Sequence, residues 1–308
     1  VTGCSGFIGS HLTERLVNDG YYVLGIDNFS TGKKEFMKNF IKKKNFKFFK
    51  IDISDYNKLN LIFKKNKINL IINLAAQAGV RYSIIHPKEY MDSNILGLFN
   101  IFEMARIYNV SKVLYASSSS VYGEQKNYPV NENVNLLPKN IYALSKKNNE
   151  EIAEIYFNYY RIKSIGLRFF TVYGEWGRPD MLMLKYMLAK HNKKIFTLNN
   201  YGNHYRDFTY IQDVIKILNK IILTKFRGHD ILNICSNKPY SVKKILKFLD
   251  QNYGKPKIKH QKKLNVEVLK THGSNAKLIR LLKFKNFTNI EIGMKNLIIW
   301  AKSNINIV

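Results

Sequence analysis

The sequence predicts an α/β protein in which a doubly wound parallel sheet is followed by a smaller mixed α/β C-terminal domain. Apolar runs with the length of buried parallel strands recur at Tyr22–Ile26, Phe46–Ile51, Leu70–Leu74, Val113–Ala116 and Ile165–Phe170. Apolar residues with helical spacing lie between these runs, at His11–Asn18, Tyr56–Lys65, Glu89–Tyr108 and Tyr142–Tyr160. Strand and helix thus alternate as far as about Thr171, which is typical of a doubly wound parallel sheet.

The pattern becomes mixed beyond Thr171. Helical spacing is found near Met181–Lys190 and near Ile211–Thr224, with shorter segments up to the C-terminus. A chain of 308 residues is long enough for one α/β domain of ordinary size and a smaller partner. The predicted domains are 1–172, which also takes in 203–235, and 173–308.

A glycine-rich turn opens the chain and leads directly into the first helical pattern. Its residues are Gly3, Gly6 and Gly9, spaced G-x-x-G-x-x-G, together with Phe7 and Ile8. Bare backbone permits a tight turn and lets a pyrophosphate approach the helix N-terminus, where free N–H groups favour negative charge. Only Val1 and Thr2 precede the turn, whereas a first strand has about five residues, so we expect the natural chain to begin several residues earlier.

Two acidic positions follow the turn at strand ends. Asp27 ends the second strand 24 residues past Gly3, close to the offset of about 20 at which an acid accepts hydrogen bonds from the adenosine ribose. A carboxylate there, with Asn28 and no arginine next to it, repels a 2′-phosphate and favours NAD over NADP. Asp52 and Ile53 follow the third strand, where such domains meet the adenine. An ordinary turn is the alternative for both aspartates, but the combination predicts a Rossmann-type domain that binds NAD.

A tyrosine and a lysine share one face of the helix that begins near residue 142. Tyr142 and Lys146 are spaced i,i+4, so the ammonium is expected to lower the pKa of the phenol toward the working pH and make it a base. With 20 tyrosines in the chain, this spacing also arises by chance. The strand before it ends in the serine run Ser117–Ser120, at the sheet edge where open α/β proteins bind ligands; a polar turn is the alternative. We predict Ser118, Tyr142 and Lys146 as the catalytic group.

Over nearly its whole length the chain resembles the extended short-chain dehydrogenases/reductases, specifically the NAD-dependent nucleotide-sugar epimerases and dehydratases. The segments most similar to UDP-glucuronate 4-epimerases are Asn73–Ser83, Ser117–Gly123, Leu167–Gly174, Trp176–Met181 and Arg206–Ile211. The resemblance implies that Tyr142, helped by Ser118, removes the 4-OH proton while the C4 hydride passes to NAD. It also implies that the 4-keto sugar turns over before the hydride returns, and that Lys146 holds the nicotinamide ribose.

The resemblance implies further contacts on both sides of the reacting centre. Those to NAD are Leu74, Ala75, Ala76, Gln77, Asn94 and Phe169, in addition to the residues above. Those to the sugar nucleotide are Arg81, Ser83, Ser118, Ser119, Thr171, Arg178 and Arg206. Thr171 and Arg178 are the candidates for holding a uronate carboxylate, since a guanidinium binds it through two parallel hydrogen bonds. Arg206 is the candidate for the diphosphate. A surface ion pair for Arg178 and a solvent-facing position for Arg206 are the alternatives.

The substrate is less sharply indicated than the chemistry. UDP-glucuronate converted to UDP-galacturonate is the favoured reaction, with a UDP-glucose or UDP-N-acetylglucosamine 4-epimerase and a UDP-glucuronate decarboxylase as alternatives. The segment Asn28–Lys33 looks more like the N-acetylhexosamine epimerases. Leu264–Glu267 and Gly273-Ser274 replace the family's usual nucleotide-side pattern. A 4,6-dehydratase is disfavoured because Ser119 and Ser120 stand where it needs an acidic pair.

Composition argues against a nucleic-acid-binding, metal-binding or membrane-spanning protein. The net charge of +28 is spread along the chain, which favours a solvated surface over a nucleic-acid site; a noncatalytic NAD- or nucleic-acid-binding relative is the alternative of another class. Cys4 and Cys235 lack the number and spacing of a disulfide framework or a zinc site, so no metal is expected. No apolar stretch has the length of about 20 residues that a membrane span needs, and no signal peptide is recognisable. We expect a cytoplasmic protein and, from the resemblance, a homodimer.

Overall fold

The computed structural model describes residues 1–263 and 267–307 and has the predicted α/β architecture. The strands are β1 Val23–Asp27, β2 Phe46–Lys50, β3 Ile71–Asn73, β4 Lys112–Ser118, β5 Lys163–Phe169, β6 Thr171–Tyr173, β7 Phe196–Asn199, β8 Tyr205–Tyr210, β9 His229–Ile234, β10 Pro239–Ser241 and β11 Ile258–Gln261. The helices are α1 Phe7–Asn18, α2 Tyr56–Lys65, α3 Tyr82–Ile85, α4 Pro87–Tyr90, α5 Gly97–Ile107, α6 Ile141–Tyr160, α7 Leu182–His191, α8 Ile211–Leu223, α9 Val242–Asn252, α10 Ala276–Leu282 and α11 Ile290–Asn304.

The main sheet is parallel and runs in the order β2-β1, then Thr2, then β3-β4-β5-β9. Thr2 joins its two parts, because it bridges to Ile26 of β1 on one side and to Asn73 of β3 on the other. Each face of the sheet has its own apolar core. One core takes side chains from α2, α5 and α6, and the other from α1 and α8. Helices thus cover both faces, and the predicted doubly wound sheet is confirmed.

The C-terminal part adds smaller sheets at the carboxyl edge of the main one. Strands β6, β8 and β10 form a three-stranded mixed sheet, and β7 pairs in parallel with β11. Strand β9 and helix α8 extend the main layer, whereas β8 belongs to the smaller sheet. The segment 203–235 therefore contributes to both layers, and it places the two sheets side by side along one cleft.

Two predicted helices have different bounds in the structure. The first begins at Phe7 instead of His11, because the glycine turn passes directly into the helix. The pattern Glu89–Tyr108 is not one regular helix, since a wide π-helical turn at Met91–Leu96 separates α4 from α5. Turns of this kind are frequent at functional sites. None of the helices in the described ranges combines the length and the apolar character that crossing a membrane requires.

Candidate active site

A cleft of about 1130 Å³ lies between the carboxyl edge of the main sheet and the smaller sheets. This exceeds the roughly 300–1,000 Å³ typical of a site for one small molecule, so there is room for two ligands. The predicted residues that line it are Gly3, Gly6, Phe7, Ile8, Gly9, Asp27, Asn28, Asp52, Ile53, Leu74, Ala75, Ala76, Gln77, Arg81, Ser118, Ser119, Tyr142, Lys146, Phe169, Thr171, Arg178 and Arg206. Segments far apart in the sequence therefore converge on one cavity.

The glycine turn forms one end of this cleft. Gly3 has a φ of +68°, and a Cβ on Gly9 would lie 1.9 Å from the carbonyl oxygen of Gly3. Larger residues at these two positions would force the turn open. Helix α1 starts immediately afterwards, and its N-cap Gly6 offers no side-chain hydrogen bond. The first N–H groups of the helix therefore keep their capacity to bind an anion.

The two predicted acids lie at neighbouring strand ends beside this turn. Asp27 is 8% exposed and accepts hydrogen bonds from the backbone N–H groups of Ser5 and Phe29, each at 2.9 Å. The Asn28 amide donates to Asp52 at 2.6 Å. Burial opposes ionisation of Asp52, but hydrogen bonds from Ser54 and Asn28 outweigh it and lower the pKa of this carboxyl. Anionic acceptors thus stand where a ribose and an adenine are expected.

The catalytic group assembles where β4 ends and α6 begins. Asn140 caps α6 by accepting a hydrogen bond from the N–H of Ala143 at 2.9 Å, which fixes the first turn that carries Tyr142. Ser118 is the last residue of β4; its hydroxyl accepts from the N–H of Ser120 at 3.1 Å and acts to lower the pKa of the Tyr142 phenol. One helical turn further on, Lys146 is 3% exposed and its Nζ donates to the carbonyl oxygen of Ala116 at 2.8 Å.

The electrostatics of this group differ from the prediction. Burial raises the pKa of Tyr142, although Ser118 and the charge of Arg178 act in the opposite direction. Burial also lowers the pKa of Lys146 to about 7, with a smaller opposing effect from Glu150. Lys146 is thus not among the groups that lower the pKa of Tyr142 here, in contrast to the prediction. The amine itself is desolvated and points to the β4 backbone, so Ser118 and Arg178 supply the stabilisation of the phenolate.

Three arginines lie toward the other end of the cleft. Arg178 follows β6, which begins at Thr171, and pairs with Asp180 through Nε at 2.9 Å and Nη2 at 2.5 Å. Arg81 pairs with Glu267, with 2.9 Å from Nε to Oε1. Arg206 donates to the backbone carbonyls of residues 268 and 269 at 2.9 and 3.1 Å. Burial lowers the pKa of Arg206 to about 10.

Two predicted contact residues lie behind the wall of the cleft. Ser83 is fully buried, and its hydroxyl donates to the carbonyl oxygen of Val80 at 2.7 Å. Asn94, in the π-helical turn, accepts from the N–H of Gln77 at 2.7 Å and donates to its carbonyl oxygen at 3.0 Å. It also donates to Ser145, next to Lys146, at 3.0 Å. These side chains hold the loop and α6 in place, and they do not line the cavity as the sequence analysis expected.

The altered nucleotide-side segment is described in part. Leu264, Asn265 and Val266 lie outside the described residues. Glu267 lines the cleft. The N–H of Gly273 donates to buried Asp207 at 3.2 Å, so the Gly273-Ser274 pair serves the packing of this region.

Comparison with known proteins shows the family. The family model described as GDP-mannose 4,6 dehydratase matches residues 1–294. The chain belongs to this family of extended short-chain dehydrogenases/reductases. Its members related to this chain include a UDP-glucuronate 4-epimerase of Thermodesulfobacterium geofontis, which is 36% identical over 319 residues, covering 100% of this chain and 97% of the relative. The resemblance stated from the sequence is thus confirmed, and the chain is an enzyme.

Solved structures of the family share the fold over almost all of the chain. UDP-glucuronic acid 4-epimerase from Bacillus cereus, in complex with UDP-glucuronic acid and NAD, has a TM-score of 0.91 and 29% identity, covering 98% of each chain. UDP-glucose 4-epimerase from Thermotoga maritima, with UDP-glucose, has a TM-score of 0.91 and 26% identity, covering 99% of this chain and 98% of that one.

Sequence reasoning missed most of the residues that the C-terminal part contributes to the cleft. The residues concerned are Phe196, Thr197, Leu198, Asn199, His204, Val242, Val268 and Thr271. They come from β7, the residue before β8, the first residue of α9 and the segment after residue 267, where the apolar pattern is mixed and gives no strand-end position. Asp180 was within reach of prediction, since it stands two residues from Arg178. No group of three or more His, Cys, Asp or Glu in the described ranges is placed to hold a metal ion.

Proposed function

We propose that this chain is an NAD-dependent 4-epimerase that interconverts UDP-glucuronate and UDP-galacturonate. The observation that carries the proposal is the convergence of Ser118 and Tyr142 on one cleft at the sheet edge. This pair lies in one cleft with the glycine turn and with Arg178. The cleft therefore combines a base in Tyr142, a dinucleotide site at the glycine turn and a cation in Arg178 that can bind a carboxylate. The named activities of the relatives support the same reaction.

The residues present fit NAD as the cofactor. Uncapped N–H groups at the start of α1 suit a pyrophosphate, and Asp27 lies beside them with a carboxylate that suits ribose hydroxyls and repels a 2′-phosphate. Lys146 is on the same wall, beneath the end of β4, where it would hold the second ribose. NAD, when bound, supplies reversible acceptance of the hydride from C4 of the sugar.

Tyr142 moves the proton in the proposed reaction. Its phenol oxygen takes the proton of the sugar 4-OH as C4 is oxidised to the ketone, and it returns that proton when C4 is reduced on the opposite face. Ser118 lines the cleft at the same sheet edge, lowers the pKa of the phenol, and would orient the 4-OH. The charge of Arg178 favours the phenolate as well. A base works best when its pKa lies near the operating pH. Burial raises the pKa of Tyr142, and Ser118 and Arg178 lower it toward that pH.

Arg178 and Thr171 give the site its proposed preference for a uronate. Oxidation of a uronic acid at C4 makes a β-keto acid, which loses CO₂ readily unless its carboxylate is held out of the geometry for cleavage. Arg178 lines the cleft with the fork that binds a carboxylate through two hydrogen bonds. Thr171 lines the cleft as well and carries a hydroxyl. A 4,6-dehydratase reaction has no support at this site, since Ser119 and Ser120 occupy the positions of its acidic pair.

The test is to incubate the purified protein and NAD with UDP-glucuronate, UDP-glucose and UDP-N-acetylglucosamine in parallel and to follow the sugar by NMR. Inversion at C4 of UDP-glucuronate, with little conversion of the other two, is the expected result. Inversion of a neutral sugar alone would move the assignment to that sugar. Accumulation of a pentose would indicate the decarboxylase. Tyr142→Phe serves as the control, because it keeps the ring and removes the hydroxyl that transfers the proton.

A further inference from the structure

The guanidinium of Arg178 already has a carboxylate partner inside the cleft. Its Nε donates to Oδ1 of Asp180 at 2.9 Å and its Nη2 donates to Oδ2 at 2.5 Å. These are the two parallel hydrogen bonds of the fork that guanidinium and carboxylate groups form. The carboxylate of a sugar acid would need the same donors. Asp180 therefore stands where a uronate would have to bind.

This ion pair lies beside the Gly79 loop, in the cleft that contains the catalytic group. A Cβ placed on Gly79, in the loop that precedes α3, would be 3.3 Å from Nη2 of Arg178 and 3.8 Å from Oδ2 of Asp180. Arg178 also acts electrostatically on Tyr142. Both members of the pair line the cleft that contains the catalytic group. The pair is thus a feature of the substrate site, unlike the Arg15–Asp19 pair at the C-terminal end of α1, whose residues do not line the cleft.

The two partners differ in their exposure to solvent. The side chain of Arg178 is 33% exposed, whereas that of Asp180 is 61% exposed. An ion pair with one partner so open to water is weak, so a second carboxylate can replace Asp180 without a large cost. Only Pro179 separates the two residues, so Asp180 is close enough in the chain to pair with Arg178 again when no other anion is bound.

We infer that Asp180 is an internal carboxylate that occupies Arg178 in the free enzyme and is displaced by the carboxylate of a sugar uronate. The inference rests on the proposed function and names a residue that sets its specificity. A neutral hexose has no group that can take the place of Asp180 on the guanidinium. Asp180 therefore competes with the acidic substrate and weakens its apparent affinity, while it keeps Arg178 paired between turnovers.

The test compares Asp180→Asn with the wild-type enzyme, both with NAD. The amide keeps the size of the side chain but loses the charge that pairs with Arg178. The KM for UDP-glucuronate should fall about two- to fivefold, as expected when a weak internal ion pair is lost. The Kd for UDP alone, which carries no sugar carboxylate, should stay unchanged. Asp19→Asn is the matched control, since it breaks another Arg–Asp pair outside the cleft.

A second comparison asks whether the effect passes through Arg178. In an Arg178→Met background, Asp180→Asn should no longer strengthen binding of UDP-glucuronate, because neighbouring residues that act on one another do not have additive effects. An unchanged or higher KM in Asp180→Asn would overturn the inference and leave the proposed function intact. Failure of the wild-type enzyme to epimerise UDP-glucuronate would overturn the proposed function, and the inference with it.

Discussion

Glu150 and Arg168 form a buried, doubly hydrogen-bonded ion pair between helix α6 and strand β5. The guanidinium donates to the carboxylate through Nε at 2.8 Å and Nη2 at 2.7 Å, and the side chains are 8% and 4% exposed. Ser117, next to Ser118, also donates to Glu150 at 2.5 Å. The pair thus fixes the helix that carries Tyr142 against the end of the strand that carries Ser118.

Arg168→Met should strongly destabilise the protein. The substitution leaves the Glu150 carboxylate buried without its cation, and removal of one partner of a buried pair costs about 3–5 kcal/mol. The free energy of unfolding from urea titrations measures this. Arg15→Met is the control, because Arg15 is 51% exposed and an exposed pair contributes less than about 1 kcal/mol. Equal losses in the two variants would contradict the structural role given to the buried pair.

Ser118→Ala should reduce turnover and move its pH dependence. Ser118 lowers the pKa of Tyr142, so loss of its hydroxyl raises that pKa and shifts the acidic limb of the kcat profile to higher pH. We expect a loss in kcat of about 10- to 100-fold, toward the lower end of what proton-transfer groups contribute. Ser118→Thr keeps the hydroxyl and should retain more activity. A profile of Ser118→Ala that overlays that of the wild type would exclude this role.

Lys146→Met should change how stability depends on pH. The folded protein gives up the Lys146 proton near pH 7, whereas the unfolded chain holds it to about pH 10.4. Between these values the unfolded state binds more protons, so the wild-type free energy of unfolding should rise with pH relative to the variant. The difference should grow by up to about 4 kcal/mol between pH 7 and pH 10. Parallel curves in urea titrations would rule this out. Lys147→Met, at the next and more exposed position, is the matched control.

The main sheet and the catalytic group could be predicted from the sequence because both depend on patterns over a few neighbouring residues. The strand at Phe46–Ile51 and the helix at Tyr56–Lys65 are read from apolar spacing over a few residues, and the structure has them at nearly those bounds. The glycine turn and the i,i+4 pair Tyr142 and Lys146 are equally local. Their convergence on one cleft follows from parallel strands that end at the same edge.

The protonation of the catalytic group and the cleft residues from the C-terminal part could not be predicted in this way. Whether Lys146 is charged depends on its burial, which only the packed structure supplies. The partner of Arg178 depends on the course of the loop after β6. Strand β8 takes its place in the smaller sheet from pairing with β6 and β10, contacts between distant segments that apolar spacing does not contain. The side chains of Ser83 and Asn94 are likewise held by hydrogen bonds to the backbone of Val80 and Gln77, which local spacing does not predict.

Arg178→Met should alter the products made from UDP-glucuronate. Without the guanidinium the β-keto acid is no longer held, so epimerisation should fall about 100-fold or more, as when one charge-stabilising donor is removed from an active site, and the share of decarboxylated pentose should rise. NMR of the sugar and release of CO₂ measure both. Arg178→Lys keeps the charge but loses the two-pronged hydrogen bonding, and should give an intermediate ratio. A variant that epimerises UDP-glucuronate at the wild-type rate would contradict the carboxylate role.

Exposed apolar side chains lie on the outer faces of α5 and α6, and we predict that two copies of the chain associate through these helices. Phe99, Ile155 and Tyr159 are 41%, 52% and 79% exposed, and α5 and α6 pack side by side, with Phe99 and Tyr156 in ring contact. A contiguous apolar patch on a protein surface is typical of an interface. Ile155→Glu combined with Tyr159→Glu should therefore turn a dimer into a monomer in light scattering, because two charges would be buried in each half of a symmetric contact. Ile299→Glu, on the 68% exposed Ile299 of α11, should leave the mass unchanged. A wild-type protein that is monomeric at every concentration would contradict the prediction.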